Sequence, residues 1–266
     1  MEEAGGDFMW LVVLIVVLLM LFYFYENYTI ELTRHVLITK KKLQEEVKIL
    51  HLTDLHGNKW FYKKIIKIIN TEKPDVIVIT GDLINTSNGE FGEELFEQIN
   101  DIPIYYVSGN HEHKISEEER QILFDKLKQY GIKNLDELKT DEFNEEIVFI
   151  GIDGISSKIK KIPDYVKRNN EKSLQILLMH QPETIDYLLG YNINIAFAGH
   201  AHGGQWRIPI LKQGIFAPDQ GLFPKYTSGK YVQDNVVMFV SRGIGTMTFV
   251  PRIFNRPHIL IINLKR

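Results

Sequence analysis

An uncharged apolar stretch near the N-terminus most constrains how this chain can fold, because a stretch of that length is stable only in a bilayer or inside a core. Residues 8–25 (FMWLVVLIVVLLMLFYFY) contain no charged side chain. As a helix they would extend about 27 Å, close to the roughly 30 Å hydrocarbon core of a membrane. Trp10 lies near one end and Tyr23 and Tyr25 at the other, as aromatic residues do at membrane interfaces. The stretch predicts one transmembrane helix in contact with the lipid bilayer.

A cleaved signal peptide and a buried core helix are the alternatives to this anchor. Signal peptides begin with basic residues and end at a small-residue cleavage site, whereas Glu2, Glu3 and Asp7 precede the stretch and no such site follows. A helix that packs one face against a protein core carries a polar stripe on its other face. No polar stripe interrupts this run. We therefore expect a single-pass membrane protein.

Basic residues follow the apolar stretch but do not precede it. Arg34 and the three lysines at 40–42 lie on its C-terminal side. Because cytoplasmic flanks of membrane helices are enriched in Lys and Arg, we expect the larger C-terminal part in the cytoplasm. The sequence divides into a transmembrane anchor (1–26), a juxtamembrane linker (27–45) and a folded domain (46–266).

The composition excludes several classes of function. Thirty-one basic and 34 acidic residues give a net charge of −3, so the chain lacks the basic excess of general nucleic-acid binders, and no nucleic acid is expected as a stable partner. The chain has no cysteine, which excludes disulfides, thiolate metal sites and cysteine nucleophiles. Its 44% hydrophobic residues can build a full core.

Apolar strand-like runs alternate with helical patterns after the linker. Helices are predicted at 60–70, at 92–99, and from the capping box of Ser116 and Glu119 to Gly131. Strands are predicted at 47–52, 76–80, 104–108, 147–150, 174–179, 193–198, 236–241 and 259–263. This alternation predicts an α/β fold of stacked β-sheets flanked by helices.

Carboxylate, amide and imidazole residues follow these strands repeatedly. The strand ends read Asp54-Leu55-His56, Gly81-Asp82, Gly109-Asn110-His111-Glu112, Met179-His180 and Gly199-His200-Ala201-His202. Ligands bind at the carboxyl ends of strands in open α/β sheets, so these side chains are expected to converge. The glycines at 81, 109 and 199 would let the backbone turn sharply beside the site. The other histidines (His35, His51, His113 and His258) have no comparable setting and are interpreted as structural or surface residues.

The mixture of residue types indicates a metal site. Carboxylates combined with imidazoles suit Zn, Mn or Fe, whereas an all-oxygen set would suit Mg or Ca. One aspartate can bridge two cations about 4 Å apart, and such a pair activates water and stabilises both the attacking and the leaving oxygen of an in-line displacement.

The motif series DLH, GD, GNHE, MH and GHAH, from Asp54 to His202, resembles the calcineurin-like metallophosphoesterases. The segments GHAHGGQW and SRGIG…VPRIFNRP are similar to a membrane-anchored subgroup related to UDP-2,3-diacylglucosamine hydrolases. The resemblance implies a metallophosphoesterase sandwich with two divalent ions (Mn, Fe or Zn). It also implies hydrolysis of a phosphodiester, pyrophosphate or phosphomonoester by metal-activated hydroxide. The anchor makes a lipid-linked substrate attractive.

The resemblance also implies residue roles. Asp54, His56 and His202 would hold the first metal, Asp82 would bridge, and Asn110, His180 and His200 would hold the second, while His111 would be catalytic, donating a hydrogen bond to a phosphoryl oxygen or protonating the leaving group. Many relatives carry G-D-x-x-D, whose second aspartate orients that histidine, but this chain has Asn85 there. An amide supplies no charge to stabilise imidazolium, so either His111 is less basic here or Glu112 helps to orient it.

Residues 203–231 interleave turn residues with aromatic ones (Trp206, Phe216, Phe223, Tyr226 and Tyr231). They predict either a loop that packs its own small cluster or an aromatic wall for the substrate. Arg242 and Arg252 are candidate phosphate ligands. Two other functions stay open from the sequence: a non-catalytic membrane scaffold that keeps its metals, and a metal hydrolase of a non-phosphate ester.

Overall fold

The computed structural model describes residues 2–39, 41, 43–85, 89–99, 101–136, 139–153, 173–245 and 250–266. Its first element is a long helix, α1 (Glu2–Tyr28), whose side chains from Phe8 to Leu21 project away from the rest of the protein. The segment Asp7–Tyr28 is long and apolar enough to cross a membrane. The folded domain follows α1 after two residues.

Two six-stranded sheets form the domain. The first has the order β1 (Glu31–Ile38), β16 (His258–Lys265), β2 (Val47–Leu52), β3 (Val76–Thr80), β4 (Ile104–Val107) and β5 (Lys133–Asn134). The second has the order β14 (Gly229–Gln233), β15 (Val236–Val240), β9 (Ile195–Ala198), β8 (Leu174–Met179), β7 (Ile147–Ile152) and β6 (Thr140–Asn144). Strands β2 to β5 are parallel, as are β15, β9, β8 and β7. The predicted α/β class with stacked sheets is confirmed.

The main core lies between the sheets. Side chains of both inner faces meet there, for example Ile49 and Val78 of the first sheet with Ile176 and Phe197 of the second. Alternate residues of the first sheet face helices α2 (Tyr62–Glu72), α3 (Glu93–Phe96) and α4 (Glu117–Gln129) on the outside. Burial of these apolar faces stabilises the stack at about 25 cal/mol per Å² removed from water.

The helices begin and end close to the predicted positions. A short 3-10 turn (Lys59–Phe61) precedes α2, and Ser116 with Glu119 forms the predicted capping box of α4. Gly131, at φ 70°, lies just beyond the end of α4. The helix predicted at 92–99 is shorter than expected, because only Glu93–Phe96 is helical.

The segment predicted as a juxtamembrane linker, 27–45, is mainly structured. α1 continues to Tyr28, and β1 then pairs in parallel with β16 over eight residues. The sequence of β1 (ELTRHVLI) mixes charged and apolar residues, as befits an edge strand that is only partly buried. The membrane-type helix and the sheet are thus joined by two residues rather than by a flexible tether.

Residues 203–231 form two small hairpins and a packed remainder. The hairpins pair β10 (Arg207–Ile208) with β11 (Gln213–Gly214), and β12 (Phe216–Ala217) with β13 (Gly221–Leu222). Tyr226 is buried and its ring lies 5.1 Å from that of Tyr231, against the outer face of the second sheet. Trp206, Phe216 and Phe223 are exposed. The predicted small packed cluster is therefore found for the two tyrosines and not for the three exposed aromatic residues.

Candidate metal centre

Seven predicted ligands come from the carboxyl ends of five strands in both sheets. In the first sheet, Asp54 and His56 follow β2, Asp82 follows β3 and Asn110 follows β4. The second sheet contributes His180 after β8 and the pair His200 and His202 after β9. Because both sheets end their parallel strands at the same edge of the stack, residues separated by up to 148 positions meet there.

These side chains form two overlapping groups. Potential ligand atoms of Asp54, His56, Asp82 and His202 all lie within 4.8 Å of one another, and so do those of Asp82, His180 and His200. Asp82 belongs to both groups, which is the position that a bridging carboxylate requires. Asn110 adjoins the second group, with its Oδ1 3.1 Å from His180 Nε2.

The backbone at these ligands has an unusual conformation. Five of the residues that follow the strands have positive φ although none is glycine: Asp54 (52°), His56 (48°), Asp82 (51°), His200 (63°) and His202 (45°). Left-handed φ costs a non-glycine residue roughly 1–2 kcal/mol, and such strain concentrates at functional sites. The sheet edges therefore hold these side chains inward against their local backbone preference.

Two glycines allow the ligand loops to approach one another. A Cβ on Gly81 would lie 2.5 Å from His180 Nδ1 and 2.6 Å from the Gly109 backbone, and a Cβ on Gly109 would lie 2.3 Å from Asp82 Oδ1. Real Cβ atoms do not tolerate such distances. The predicted role of these glycines in close backbone approach thus follows directly from the geometry.

Electrostatics favour a cation at this cluster. Burial alone would raise the pKa of Asp82, but the charge of His180, 3.4 Å away, lowers it well below its usual range. The pKa of His180 is raised to about 10, since the attraction of Asp82 outweighs the effect of burial. Burial lowers the pKa of His56 and of His200 to about 4, which keeps both imidazoles neutral and able to bind metal. A cation would take the place of the proton that His180 otherwise holds.

The donor set fits two transition-metal ions. Each group combines carboxylate oxygen with imidazole nitrogen, a mixture that suits Mn, Fe or Zn. His202 Nδ1 is buried and makes no hydrogen bond within the described residues. The described residues could therefore hold one ion at Asp54, His56, Asp82 and His202, and a second at Asp82, His180 and His200 with Asn110 beside them.

His111 lies at the open side of the cluster. Its Nε2 is 3.9 Å from Asp82 Oδ2, and its side chain is 27% exposed. Burial lowers its pKa, more strongly than Asp82 raises it. Its Nδ1 has no hydrogen-bond partner among the described residues. The backbone N–H of His111 donates to Asp82 Oδ1 at 2.9 Å, which sets its position relative to the bridging carboxylate.

Glu112 does not orient His111, contrary to one expectation. Its carboxylate accepts hydrogen bonds from four backbone N–H groups, those of Asp82, Leu83, Ile84 and Gly109, at 2.7–3.1 Å. Burial raises the pKa of Glu112 to about 7. The residue thus clamps the loop of Asp82 to the loop of His111.

The two predicted arginines have other partners than a substrate phosphate. The Arg252 guanidinium is buried and donates to the backbone carbonyls of Asn255, Arg242 and Gly245, which leaves it committed to the backbone rather than to phosphate. Arg242 lines a cavity beside α1 instead of the metal cluster. Arg252 is therefore a structural residue, and Arg242 belongs to the cavity beside α1.

Asp219 is a site residue that the sequence did not reveal. Its Oδ2 lies 2.9 Å from His200 Nε2, while His200 Nδ1 points inward, 3.0 Å from His180 Nε2. Carboxylates that bind the outer nitrogen of a ligand histidine fix its orientation. Asp219 lies in a turn within 203–231, where no local pattern distinguishes it from other turn aspartates. The four remaining histidines make contacts of other kinds, such as His51 Nε2 with Thr80 Oγ1 at 2.7 Å.

Comparison with known proteins agrees with this geometry. The model of a family described as calcineurin-like phosphoesterase matches residues 47–204. The metallophosphoesterase YkuE of Bacillus subtilis is 26% identical over 91% of this chain and 88% of its own length. Phosphodiesterase YaeI of Escherichia coli is 25% identical over 88% of each chain. A transmembrane protein with a metallophosphoesterase domain from Danio rerio is 27% identical over 87% of this chain and 56% of its own.

Solved structures share the fold. The NAD nucleotidase NadN of Haemophilus influenzae superposes with a TM-score of 0.51 at 16% identity, covering 75% of this chain and 46% of that one. The protein TT1561 of Thermus thermophilus gives a TM-score of 0.50 at 11% identity, covering 75% of this chain and 91% of that one. At these identities the likeness concerns the arrangement of sheets and helices alone.

Proposed function

The chain belongs to the calcineurin-like phosphoesterases, and from that premise we propose that it is a membrane-anchored, two-metal phosphodiesterase acting on a lipid-linked substrate at the membrane surface. The observation that carries the proposal is Asp82, which is shared by two groups of ligand atoms. Asp54, His56 and His202 would hold one cation and Asn110, His180 and His200 the other. Bound divalent cations supply a nucleophile from water near neutral pH and stabilise charge on the phosphoryl oxygens.

His111 would bind a phosphoryl oxygen. Its lowered pKa keeps the imidazole neutral at pH 7, and a neutral imidazole donates one hydrogen bond. Its partial exposure at the open side of the cluster suits contact with substrate. His111 would therefore donate a hydrogen bond from Nε2. Delivery of a proton from imidazolium would be supported by an aspartate at position 85, where this chain has Asn85.

Contacts between the end of α1 and the folded domain support membrane anchoring. Glu26 Oε2 accepts a hydrogen bond from Asn255 N–H at 2.6 Å, and Asn27 bonds to the backbone of Arg252. Both side chains are less than 10% exposed. Cleavage after α1 would remove both side chains and leave their backbone partners in the domain unpaired. These contacts therefore favour a permanent anchor over a cleaved signal peptide.

The metal ligands lie near the membrane end of the domain. The Trp60 ring lies 5.2 Å from that of Tyr28, at the end of α1, and Trp60 is only four residues beyond His56. Trp206 follows His202 at the same spacing and donates through Nε1 to Pro251 O. The next residue, Arg252, is bonded to Asn27 at the end of α1. Since four residues span at most about 14 Å, the cluster lies close to the headgroup layer, where a lipid-linked phosphoester would be presented.

The folded domain is proposed to lie on the cytoplasmic side of the membrane. Arg34 follows α1, and Lys64 Nζ contacts Tyr28 O at the end of that helix. Lys40 and Lys42, on which the prediction also rests, lie outside the described residues. A reporter fused after Arg266, active on only one side of the membrane, tests this orientation.

Hydrolysis by the full chain in detergent micelles with Mn²⁺ tests the activity. Bis-p-nitrophenyl phosphate should be hydrolysed, and Asp82→Ala and His200→Ala should abolish turnover while Asp234→Ala, in an exposed turn, retains it. Activity that survives both cluster substitutions would refute the site. Absence of turnover in the metal-loaded wild type would favour the scaffold. Hydrolysis of p-nitrophenyl acetate without inhibition by vanadate would favour a non-phosphate esterase.

Surface-dilution kinetics test the lipid-linked substrate. In mixed micelles, the rate on a lipid phosphodiester should follow its mole fraction in the surface rather than its bulk concentration. His111→Ala should lower kcat without changing metal content, and His111→Asn, which keeps a donor, should recover part of the rate.

A further inference from the structure

The cavity beside the end of α1, which Arg242 lines, has a volume of about 530 Å³. Among the described residues, none of the seven proposed metal ligands lines it. Its walls come from the last turn of α1, from β1 and β16, and from the hairpin that follows Arg207. It is therefore a separate site between the membrane-type helix and the domain.

The cavity carries an excess of positive charge. Its lining includes four basic side chains (Arg207, Lys212, Arg242 and Arg256) and two acidic ones (Glu26 and Glu31). Glu31 pairs with both Arg242, at 2.9 Å, and Arg256, at 3.1 Å. One carboxylate is thus shared by two guanidinium groups. The other, that of Glu26, accepts a hydrogen bond from the backbone N–H of Asn255.

Arg207 lacks a carboxylate partner within the described residues. Its guanidinium donates to Gly203 O, to Thr227 Oγ1 and to Lys212 O. Burial lowers the pKa of Arg207 to about 10, which still leaves it charged at neutral pH. A partly buried cation whose hydrogen-bond partners are carbonyl and hydroxyl oxygens, with no carboxylate among the described ones, is a favourable place for an anion.

Arg242 adds a free donor to the cavity. The residue is only 7% exposed, and its Nε has no hydrogen-bond partner among the described residues. A buried polar donor without a partner costs roughly 1–3 kcal/mol in general. An anionic oxygen in the cavity would satisfy it.

Apolar and aromatic groups border the cavity on its membrane side. Tyr25 lies in the last part of α1, and the centroid of its ring is 4.8 Å from the Arg256 guanidinium. Phe254 is half exposed and packs on Phe22 at 5.2 Å. Between the lining residues Pro209 and Lys212, Ile210 and Leu211 are 93% and 69% exposed. The cavity thus combines a cationic interior with an apolar rim beside a bilayer-spanning helix.

We propose that this cavity binds the phosphate group of an anionic phospholipid, with the acyl chains lying along α1 and the apolar rim. The phosphate oxygens would accept from the free Nε of Arg242, from Lys212 and from the charge of Arg207, since arginine and lysine recognise phosphate by charge-assisted hydrogen bonds. The proposal rests on the anchoring of α1 in the membrane, and not on the catalytic activity.

Lipid selectivity of the full chain in vesicles tests the proposal. Spin-labelled phosphatidylglycerol and phosphatidylcholine would be compared by electron paramagnetic resonance for the fraction immobilised on the protein in zwitterionic vesicles. The anionic label should be preferred, and Lys212→Gln and Arg207→Gln should each reduce the preference about fivefold. Lys67→Gln, on the exposed face of α2, is the matched control and should leave it unchanged.

Three outcomes would overturn the assignment. One is equal immobilisation of the two labels by the wild type, and another is a preference that both cavity variants retain. The third is complete displacement of the anionic label by inorganic phosphate, which would identify free phosphate as the ligand. Lys212→Gln, which is exposed, keeps the test decisive should Arg207→Gln fail to fold. Turnover of bis-p-nitrophenyl phosphate by the same samples reports separately on the metal centre.

Discussion

The side chain of Asn27 and the backbone of Arg252 exchange two hydrogen bonds. Asn27 Oδ1 accepts from the Arg252 N–H at 2.8 Å, and its Nδ2 donates to the Arg252 carbonyl at 3.2 Å. The Arg252 guanidinium in turn donates to Gly245 O, and Gly245 N–H donates to Asp54 O at 2.6 Å. A continuous chain of contacts therefore runs from the end of the membrane-type helix to a proposed metal ligand.

Asn27→Ala should destabilise the domain by about 1–3 kcal/mol, because it leaves the buried N–H and C=O of Arg252 without partners. The midpoint of thermal unfolding in detergent should fall by several degrees. Thr71→Ala, which removes an exposed bond to Lys67 O within α2, is the control and should change it little. Equal midpoints for wild type and Asn27→Ala would show that the helix end is not coupled to the domain.

Gly81→Ala and Gly190→Ala should separate backbone strain from steric exclusion. Both glycines have φ near 85° (84° and 85°), but a Cβ on Gly81 would clash with His180 and Gly109, whereas nothing lies within 4 Å at Gly190. Gly190→Ala should cost about 1–2 kcal/mol of stability. Gly81→Ala should cost a further 1–3 kcal/mol or so and lower kcat about 100-fold by displacing His180. Denaturant unfolding and steady-state kinetics measure both, and similar kcat values for the two variants would contradict the close approach.

Asp219→Asn should weaken binding of the second metal about 10–100-fold, because the carboxylate that orients His200 is lost. Metal titration followed by elemental analysis measures the effect. Asp234→Asn is the matched control, since Asp219 and Asp234 both lie in turns with positive φ, 59° and 50°. Unchanged affinity in Asp219→Asn would mean that its contact with His200 does not serve the metal.

His51 should make the protein less stable in acid. Burial lowers the pKa of His51 from 6.5 to about 3, so below pH 6.5 the unfolded state binds a proton that the folded state does not. Its contribution is fully present above pH 6.5 and is lost as the pH falls towards 3, by about 2 kcal/mol near pH 5. His51→Gln does not titrate, and its unfolding free energy should fall less steeply below pH 6.5. Parallel pH curves for the two proteins would disprove the assignment.

The arrangement of the site could be predicted largely from the sequence, for a physical reason. Parallel strands of an α/β sheet end at a common edge, so a polar residue directly after an apolar run has a known location whatever the loops do. That is why residues as distant as Asp54 and His202 could be expected to meet. The glycines beside them signal close backbone approach in the same way.

Features that depend on tertiary contacts could not be predicted. β1 resembles a linker because edge strands carry mixed polarity, and only its pairing with β16 reveals it. Asp219 reaches His200 from a turn without a repeating pattern. Arg252 looks like a phosphate ligand until its guanidinium is seen to bond three carbonyls. In each case the deciding contact depends on how the chain folds and not on a local sequence pattern.

The pairing of β1 with β16 determines where the anchor can be removed. A soluble fragment that starts near residue 45, after the predicted linker, would lack β1 and leave the eight-residue strand β16 unpaired on one side. An exposed strand of that length invites self-association. A truncated version made for crystallisation should therefore begin before Glu31, with the apolar part of α1 deleted and the first strand kept.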